Sequence, residues 1–175
     1  SGVGNDSIIE LDSDDAGNDW ISSHTGNDYI YGAQGDDTLH TSSGDNTLIG
    51  GAGNDSLLQG ASSDDSINND SMTGGDGDDT INGSGGQNTL LGGNGADFIW
   101  SYAGNDSIIE VNSDDAGNDT LSGGAGNDTI DGAAGNDSIT GGFSSDSILG
   151  GDGSDWASYS HLTSAATINL ATGSG

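Results

Sequence analysis

The stretch Gly123-Gly124-Ala125-Gly126-Asn127-Asp128-Thr129-Ile130-Asp131-Gly132 contains a full copy of a nine-residue unit, G-x-G-N-D-x-(Ile/Leu)-x-G, that recurs through most of the chain. The unit continues through Asp137-Ser138-Ile139 and Asp146-Ser147-Ile148. One large apolar residue per nine matches neither an amphipathic helix nor the alternation of an ordinary strand. It fits a three-residue strand between six-residue glycine turns, in which the apolar side chain points inward and its two neighbours point outward.

Two such units complete one turn of a flattened coil, and successive coils stack as parallel strands about 4.8 Å apart. The sequence therefore predicts an all-β protein, a parallel β-roll or β-helix solenoid with two nine-residue repeats per coil. The predicted inward residues are Ile8, Ile21, Ile30, Leu39, Leu48, Leu57, Met72 or Ile67, Ile81, Leu90, Ile99, Ile108, Leu121, Ile130, Ile139, Ile148 and Ala157. Of Ile67 and Met72, one is predicted to point inward and the other to lie in an insertion.

The spacing is irregular at three places. Acidic bulges at residues 10–15 and 110–115 each add four residues, and their near-identical texts set a second period of 100 residues. A further irregular insertion falls at about 60–73. We therefore divide the chain into a β-roll over 1–156, followed over 157–175 by a C-terminal capping segment or the start of the next unit.

The composition demands positive charge from outside the chain. Its 175 residues include 34 Gly and 29 Asp plus Glu but no Pro, Cys, Lys or Arg, which gives a formal net charge of −29. Without a counter-charge, such a chain is expected to be disordered, because its few apolar side chains cannot offset the ordering entropy and the repulsion among carboxylates. Nucleic acid and anionic membranes are excluded as partners, since both require basic residues.

Each turn ends in an acidic residue placed directly before the strand. Stacking brings these carboxylates within a few ångström of one another, which a hard divalent cation relieves, and a flexible all-oxygen shell favours calcium over magnesium. The chain has too few His and no Cys for a zinc site. The candidate calcium ligands are Asp6, Asp19, Asp28, Asp37, Asp55, Asp65, Asp79, Asp97, Asp106, Asp119, Asp128, Asp137, Asp146 and Asp155. Asn46 and Asn88 occupy the same position as neutral stand-ins, while Asp65 and Asp70 are too close to belong to successive regular repeats.

Residues 2–156 resemble the RTX, or hemolysin-type, calcium-binding nonapeptide repeats, whose consensus is G-G-x-G-x-D-x-U-x. The resemblance implies that calcium binds in the turns between consecutive coils, so that an Asp is shared with the repeat two units on. It also implies a bacterial, type I-secreted protein that is extracellular or attached to the cell surface. The implied pairs are Asp19 with Asp37, Asp37 with Asp55, Asp79 with Asp97, Asp119 with Asp137, Asp137 with Asp155, and Asp128 with Asp146. Asp28 would face Asn46 and Asn88 would face Asp106, and these two sites are expected to be the weakest.

The function expected from these residues is calcium-induced folding, and no catalytic role. The chain has no Cys nucleophile, no basic residue to stabilise an oxyanion, and neither an H-E-x-x-H nor a G-x-S-x-G motif. Two classes of function remain. One is a structural or adhesive module of a longer adhesin, surface layer or filament, and the other is the C-terminal folding and secretion module of an exported enzyme or toxin.

Two groups of residues beyond the regular turns have open interpretations. Glu10 with Asp12, Asp14 and Asp15, and Glu110 with Asp114 and Asp115, form either additional calcium sites or solvated acidic loops. Outward apolar residues form either a contact face for glycans and neighbouring copies of the chain or ordinary cross-strand packing. These outward residues are Trp20, Tyr29, Tyr31, Phe98, Trp100, Tyr102, Ile9, Ile49, Leu58, Leu91, Ile109 and Leu149.

Overall fold

The structure, a computed structural model, describes residues 2–10, 16–60, 68–110, 117–158 and 167–170. Within these ranges the chain forms strands and turns, and no helix. Most strands are three residues long, as expected from the x-(Ile/Leu)-x motif, and several extend into the following turn. The strands are β1 Ser7–Ile9, β2 Trp20–Ser22, β3 Tyr29–Gln34, β4 Thr38–Thr41, β5 Thr47–Ala52, β6 Ser56–Gln59, β7 Ser71–Asp76, β8 Thr80–Asn82, β9 Thr89–Asn94, β10 Phe98–Trp100, β11 Ser107–Ile109, β12 Thr120–Ala125, β13 Thr129–Asp131, β14 Ser138–Phe143, β15 Ser147–Leu149, β16 Trp156–Ser158 and β17 Thr167–Asn169.

The strands alternate between two parallel sheets. The odd-numbered strands form a nine-stranded sheet in sequence order, and the even-numbered strands form an eight-stranded sheet. Each strand therefore pairs with the strand two elements away, which places two repeats in every coil. The predicted all-β parallel β-roll is confirmed.

A single file of apolar side chains from each sheet fills the space between the two sheets. Ile30, Leu48 and Met72 are direct neighbours in the nine-stranded sheet, and Leu39 and Leu57 are neighbours in the other. Thirteen of these inward residues are at most 2% exposed. Ile8 and Ile21, in the first coil, are partly buried and pack against this core. The structure selects Met72 as the inward residue, while Ile67 lies outside the described residues.

The insertions change the length of a coil but not its pairing. The separation between hydrogen-bonded turn residues in adjacent coils is 18 in regular coils, 22 across the acidic bulges and 24 across the third insertion. Ile8 and Ile108 lie in β1 and β11 of the same sheet, so the 100-residue period corresponds to five complete coils. Residues 11–15, 61–67 and 111–116 lie outside the described parts of the chain.

The last described segments extend the sheets. β16 pairs with β14, and β17 pairs with β15 through Ile148 and Ile168. The proposed division at residue 156 between roll and capping segment stays a prediction. No helix in the described part of the chain is long and apolar enough to cross a membrane.

Candidate metal centres

The residues that precede the strands are stacked in two columns, one for each row of turns. Each column contains eight rungs, and consecutive rungs come from consecutive coils. The column that leads into the nine-stranded sheet contains Asp6, Asp28, Asn46, Asp70, Asn88, Asp106, Asp128 and Asp146. The column that leads into the eight-stranded sheet contains Asp19, Asp37, Asp55, Asp79, Asp97, Asp119, Asp137 and Asp155.

One hydrogen-bond pattern joins the rungs of both columns. The backbone N–H of each rung donates to the side-chain Oδ1 of the rung in the next coil; for example, Asp37 N donates to Asp55 Oδ1 at 2.8 Å and Asp128 N to Asp146 Oδ1 at 3.1 Å. All six predicted pairs lie next to each other in this way. Two carboxylates are therefore fixed beside each other at almost every level of the roll.

The second carboxylate oxygen of many rungs is buried without a hydrogen-bond partner. Buried Oδ2 atoms in this state belong to Asp6, Asp19, Asp28, Asp37, Asp55, Asp79, Asp106 and Asp128. A buried anionic oxygen without a donor is strongly unfavourable, unless a cation binds it. Because the chain has no Lys or Arg, the cation has to come from solution.

The first glycine of each turn makes room for this oxygen. A Cβ added to Gly74 would lie 2.2 Å from Asp79 Oδ2 and 2.6 Å from the carbonyl oxygen of Gly92 in the next coil. A Cβ on Gly32 would similarly lie 2.5 Å from Asp37 Oδ2 and 2.8 Å from the Gly50 carbonyl oxygen. Carboxylate and carbonyl oxygens thus converge at the turns, which is the donor set that calcium prefers.

The electrostatics of the metal-free columns favour protonation. Desolvation is the main cause that raises the pKa of Asp55 to about 6 and the pKa of Asp79 and Asp128 to about 7, and neighbouring column carboxylates raise it further. Burial likewise raises the pKa of Asp37 and Asp106. The fold therefore places its carboxylates where the ionised form requires a counter-ion.

A second pair of ladders stands directly outside the columns, and the sequence reasoning missed it. The residue before most rungs accepts a hydrogen bond from the next coil: Asn27 N donates to Asn5 Oδ1 at 2.9 Å, and Asn54 N donates to Asp36 Oδ1 at 2.8 Å. These bonds point in the opposite direction along the roll from those of the rungs. An Asn-Asp dipeptide therefore contacts the coil on either side, which explains why Asn precedes Asp so often in the repeat.

A family comparison agrees with this geometry. The model of the RTX calcium-binding nonapeptide repeat matches residues 13–39, 31–65, 64–90, 83–109, 113–139 and 129–157, which together cover most of the chain. The chain belongs to the RTX calcium-binding nonapeptide repeat family. A search of curated proteins returned no match to the chain. The RTX repeats bind calcium, and the two columns of buried Asp fit several calcium ions. The RTX β-roll is a structural, calcium-binding fold.

The columns contain thirteen of the fourteen candidate ligands named from the sequence. Asp65 lies outside the described residues. Asp70 fills the rung that the sequence reasoning had left open between Asp65 and Asp70: its Oδ1 accepts the Asn46 N–H at 2.8 Å. The text Asn69-Asp70-Ser71-Met72-Thr73-Gly74 carries the full N-D-x-U-x-G signal, which would have identified Asp70. The role of the individual Asp residues as ligands is our proposal.

The rung at Asn46 supplies its own donor in place of a cation. The Asn46 Nδ2 donates to the Gly44 carbonyl at 2.9 Å and to Gln59 Oε1 at 3.2 Å. Asn88 breaks the same column two rungs later, with its N–H on Asp106 Oδ1 at 2.7 Å. These two rungs remain the predicted weak points of the calcium ladder.

Replacing Asn46 with Asp is therefore expected to add one calcium site. The new carboxylate would lie between Asp28 and Asp70 in the column, so the variant should bind more calcium but be less stable in chelator than the parent. Equilibrium dialysis with calcium gives the stoichiometry. Asn54→Asp is the matched control, because it adds the same charge at an exposed acceptor outside the column. Equal stoichiometry in Asn46→Asp and the parent would contradict the prediction.

The bulged coils bring a third carboxylate to the columns. Glu10, Asp19 and Asp37 each place a carboxylate oxygen within 4.8 Å of the others. Glu110 is 3% exposed, and its Oε2 accepts the Gly93 N–H at 3.0 Å. The other bulge residues considered as ligands, Asp12, Asp14, Asp15, Asp114 and Asp115, lie outside the described residues.

The outward apolar residues are divided between two faces of the roll, whereas the sequence had suggested that they form one face. The nine-stranded sheet carries a row of mainly aliphatic side chains. In this row Tyr31 lies beside Ile9 and Ile49, and Leu91 lies beside Ile109. The eight-stranded sheet carries Phe98 and Trp100, whose rings meet edge to face at 4.3 Å. Because consecutive strands belong to different sheets, residues close in sequence separate onto opposite sides.

The aromatic residues of the eight-stranded sheet border a shallow groove of about 400 Å³. Trp100, Tyr102 and Phe143 form its walls, and small residues that include Gly124 and Thr140 form its floor. None of the described residues that line this aromatic groove is charged. At the positions 100 residues earlier, Gly2, His24, His40 and Ser43 replace Tyr102, Gly124, Thr140 and Phe143, so the groove belongs to the second five-coil unit alone.

Proposed function

We propose that the chain is a calcium-folded structural and adhesive module of an extracellular or cell-surface bacterial protein, such as an adhesin, surface layer or filament. The supporting observation is the pair of carboxylate columns, which bury many anionic oxygens in a chain without Lys or Arg. Such a fold is stable only where calcium is plentiful. RTX repeats are typical of secreted bacterial proteins, and this supports a calcium-rich extracellular environment for the chain.

The calcium dependence also suits export by type I secretion. At the low calcium concentration of the cytosol, the chain would remain an expanded polyanion that can pass through a narrow channel. In millimolar calcium outside, binding to the folded state alone would drive folding. The same acidic residues thus keep the chain unfolded during export and bind calcium when it folds outside the cell.

The adhesive role is assigned to the aromatic groove, with a neutral glycan as its occupant. A sugar ring offers an apolar C–H face that packs on Trp and Tyr rings, while its hydroxyls can reach polar groups such as Thr140 and the Tyr102 hydroxyl. Trp100 and Tyr102 have 43% and 53% of their surface exposed and available for such contact. The net charge of −29 disfavours acidic polysaccharides, because the whole chain repels them.

Trp100→Ala is expected to weaken the binding of neutral oligosaccharides at least tenfold, because it removes one wall of the groove. The measurement is isothermal titration calorimetry in millimolar calcium, with soluble neutral glucans and an acidic polysaccharide as probes. Trp20→Ala is the matched control, since Trp20 is 72% exposed on the same sheet and does not line the groove. Equal binding by the parent and Trp100→Ala would overturn the assignment, as would self-association of the parent in place of glycan binding.

The second candidate function is a C-terminal folding and secretion module of an exported enzyme or toxin. It is favoured by the coupling between coils, because a roll whose ligands are shared can fold as one unit on arrival in calcium. A reporter fused upstream of the chain would test it in cells that have a type I exporter. Export that survives Trp100→Ala but fails after several column Asp residues are replaced would favour this candidate over the adhesive one.

A further inference from the structure

Glu10 occupies a position that regular turns reserve for glycine. Ile9 pairs with Tyr31 in the next coil, and the following residues are Glu10 and Gly32, so the two occupy the same place in successive coils. The Glu10 N–H donates to the Tyr31 carbonyl at 3.2 Å, which holds the glutamate in this register. In the regular coil, the space at Gly32 is taken by Asp37 Oδ2, 2.5 Å from where a Cβ would lie. A glutamate fits at the same position of the first coil because that turn is four residues longer than a regular one.

The glutamate side chain joins two rungs of the column. One carboxylate oxygen from each of Glu10, Asp19 and Asp37 lies within 4.8 Å of the other two. Asp37 points to a missing ligand independently of this cluster: it is 1% exposed, and its Oδ2 is buried with no hydrogen-bond partner. Its Oδ1 is already used by the Asp19 N–H at 2.9 Å. Three carboxylates this close, in a chain with no Lys or Arg, favour a bound cation, because their mutual repulsion opposes the ionised form.

We propose that Glu10, Asp19 and Asp37 form a three-carboxylate cation site, separate in composition from the two-carboxylate rungs of the regular turns, that binds calcium before them. A further carboxylate raises the affinity of an all-oxygen site, because ligand charge is a main determinant of calcium affinity. The site also accepts other hard cations of similar size, including trivalent lanthanides. This proposal deepens the function proposed above and rests on it.

The second five-coil unit repeats the arrangement in a modified form. In its own bulged coil, Glu110 occupies the position that is glycine in regular turns. Its side chain points toward the preceding coil. Its Oε1 and Oε2 and the Oδ2 of Asp97 all lie within 2.6 Å of the point that a Cβ on Gly92 would occupy. Asp119, the next rung, accepts the Asp97 N–H at 2.8 Å. A third carboxylate therefore enters the column once in each unit, at the bulge.

Terbium luminescence can report on the Glu10 site alone. Trp20 follows Asp19 directly in the sequence, so tryptophan-selective excitation should transfer energy to Tb³⁺ bound there. In a Trp100→Phe, Trp156→Phe background, Trp20 is the one remaining tryptophan. We expect Trp20-sensitised emission to begin with the first part of the folding transition seen by circular dichroism, and to reach half of its final intensity at lower Tb³⁺ concentration than the whole transition does. Glu10→Gln should weaken this early phase at least tenfold, and Glu10→Asp, which shortens the side chain, should weaken it as well.

Asp152→Asn in the same background is the matched control, because it removes one carboxylate at an exposed residue outside the two columns. It should leave the Trp20-sensitised titration unchanged. If Glu10→Gln and Glu10→Asp titrate as the parent does, Glu10 is not a ligand and the proposal is wrong, although calcium-dependent folding would stand. If the parent shows no structural change on addition of calcium, the proposed function fails, and that result is separate from the terbium titration.

Discussion

In excess chelator at neutral pH, the chain is expected to lose both β-sheets and expand into a disordered polyanion. The core is one file of apolar side chains per sheet, and the two columns together hold 14 of the 29 acidic residues of the chain, most of these 14 buried. Without a cation, the desolvated carboxylates oppose folding, whereas calcium binds only the folded arrangement and therefore stabilises it. Far-ultraviolet circular dichroism and small-angle X-ray scattering, recorded during a calcium titration, would follow the transition. A β-sheet spectrum that persists in chelator would refute the prediction.

In excess chelator, lowering the pH should partly restore the folded structure that calcium otherwise stabilises. Burial raises the pKa of Asp55 from 3.8 to about 6 and that of Asp79 and Asp128 to about 7 in the folded chain. Because the folded pKa lies above the unfolded one, protonation favours folding fully below about pH 3.8, and this contribution is lost as the pH rises through 6 to 7. The metal-free chain should therefore gain structure toward pH 4 and have none at pH 8. With calcium, the trend reverses, since protons compete for the same oxygens.

Gly74→Ala is expected to cause a large loss of calcium affinity through a single added methyl group. The new Cβ would meet Asp79 Oδ2 at 2.2 Å and the Gly92 carbonyl oxygen at 2.6 Å, so it would displace two oxygens that converge on one turn. Overpacking of this kind lowers the free energy of unfolding by about 1–3 kcal/mol. A lost site removes about 1.4 kcal/mol more for each tenfold excess of calcium over its dissociation constant. Isothermal titration calorimetry and urea unfolding at fixed calcium would measure both effects.

Gly2→Ala is the control for this substitution. A Cβ on Gly2 would meet nothing within 4 Å, so the same added methyl should change neither calcium binding nor stability. Gly74 does not have a positive φ, and the effect at that position therefore reports on space rather than on backbone strain. If Gly74→Ala behaves like Gly2→Ala, the turn glycines are not needed to make room for the carboxylate.

The regular part of the roll could be read from the sequence, because its period is strict and each repeat has one apolar residue. Ile130 and Asp128 are typical. Wherever the unit recurs, the position of Ile130 belongs to the core and the position of Asp128 belongs to the turn. The irregular region could not be read in the same way, since Ile67 and Met72 both follow an Asp by two residues. Pairing in the sheet, where Met72 lies beside Leu48 and Leu90, selects Met72. The one sequence signal that agrees with this choice is the asparagine before Asp70 and the glycine two residues after Met72.

Other features depend on contacts between coils that a one-dimensional reading does not contain. The hydrogen bonds of Asn5 and Asn54 to the next coil require the stacking distance of the coils, not just their composition. The division of Tyr31 and Trp100 onto opposite faces follows from the alternation of strands between the two sheets, so it depends on which sheet each strand joins and not on distance along the sequence. The clustering of Glu10 with Asp19 and Asp37 brings together residues of two stacked coils next to an irregular spacing, and no spacing rule gives that.

The hydrogen bonds of the rungs and those of the residues before the rungs point in opposite directions along the roll. Each coil therefore interacts with the coil before it and the coil after it, as a site does in a one-dimensional lattice. Every Asn-Asp dipeptide in the interior has a neighbour above and below, whereas a dipeptide at either boundary of such a lattice has one. Boundary coils therefore melt first, and their share of the total falls as units are added. Chains built from two, three or four of these 100-residue units should respond to calcium over a progressively narrower concentration range, with a steepness set by repeat number rather than by the affinity of any one turn.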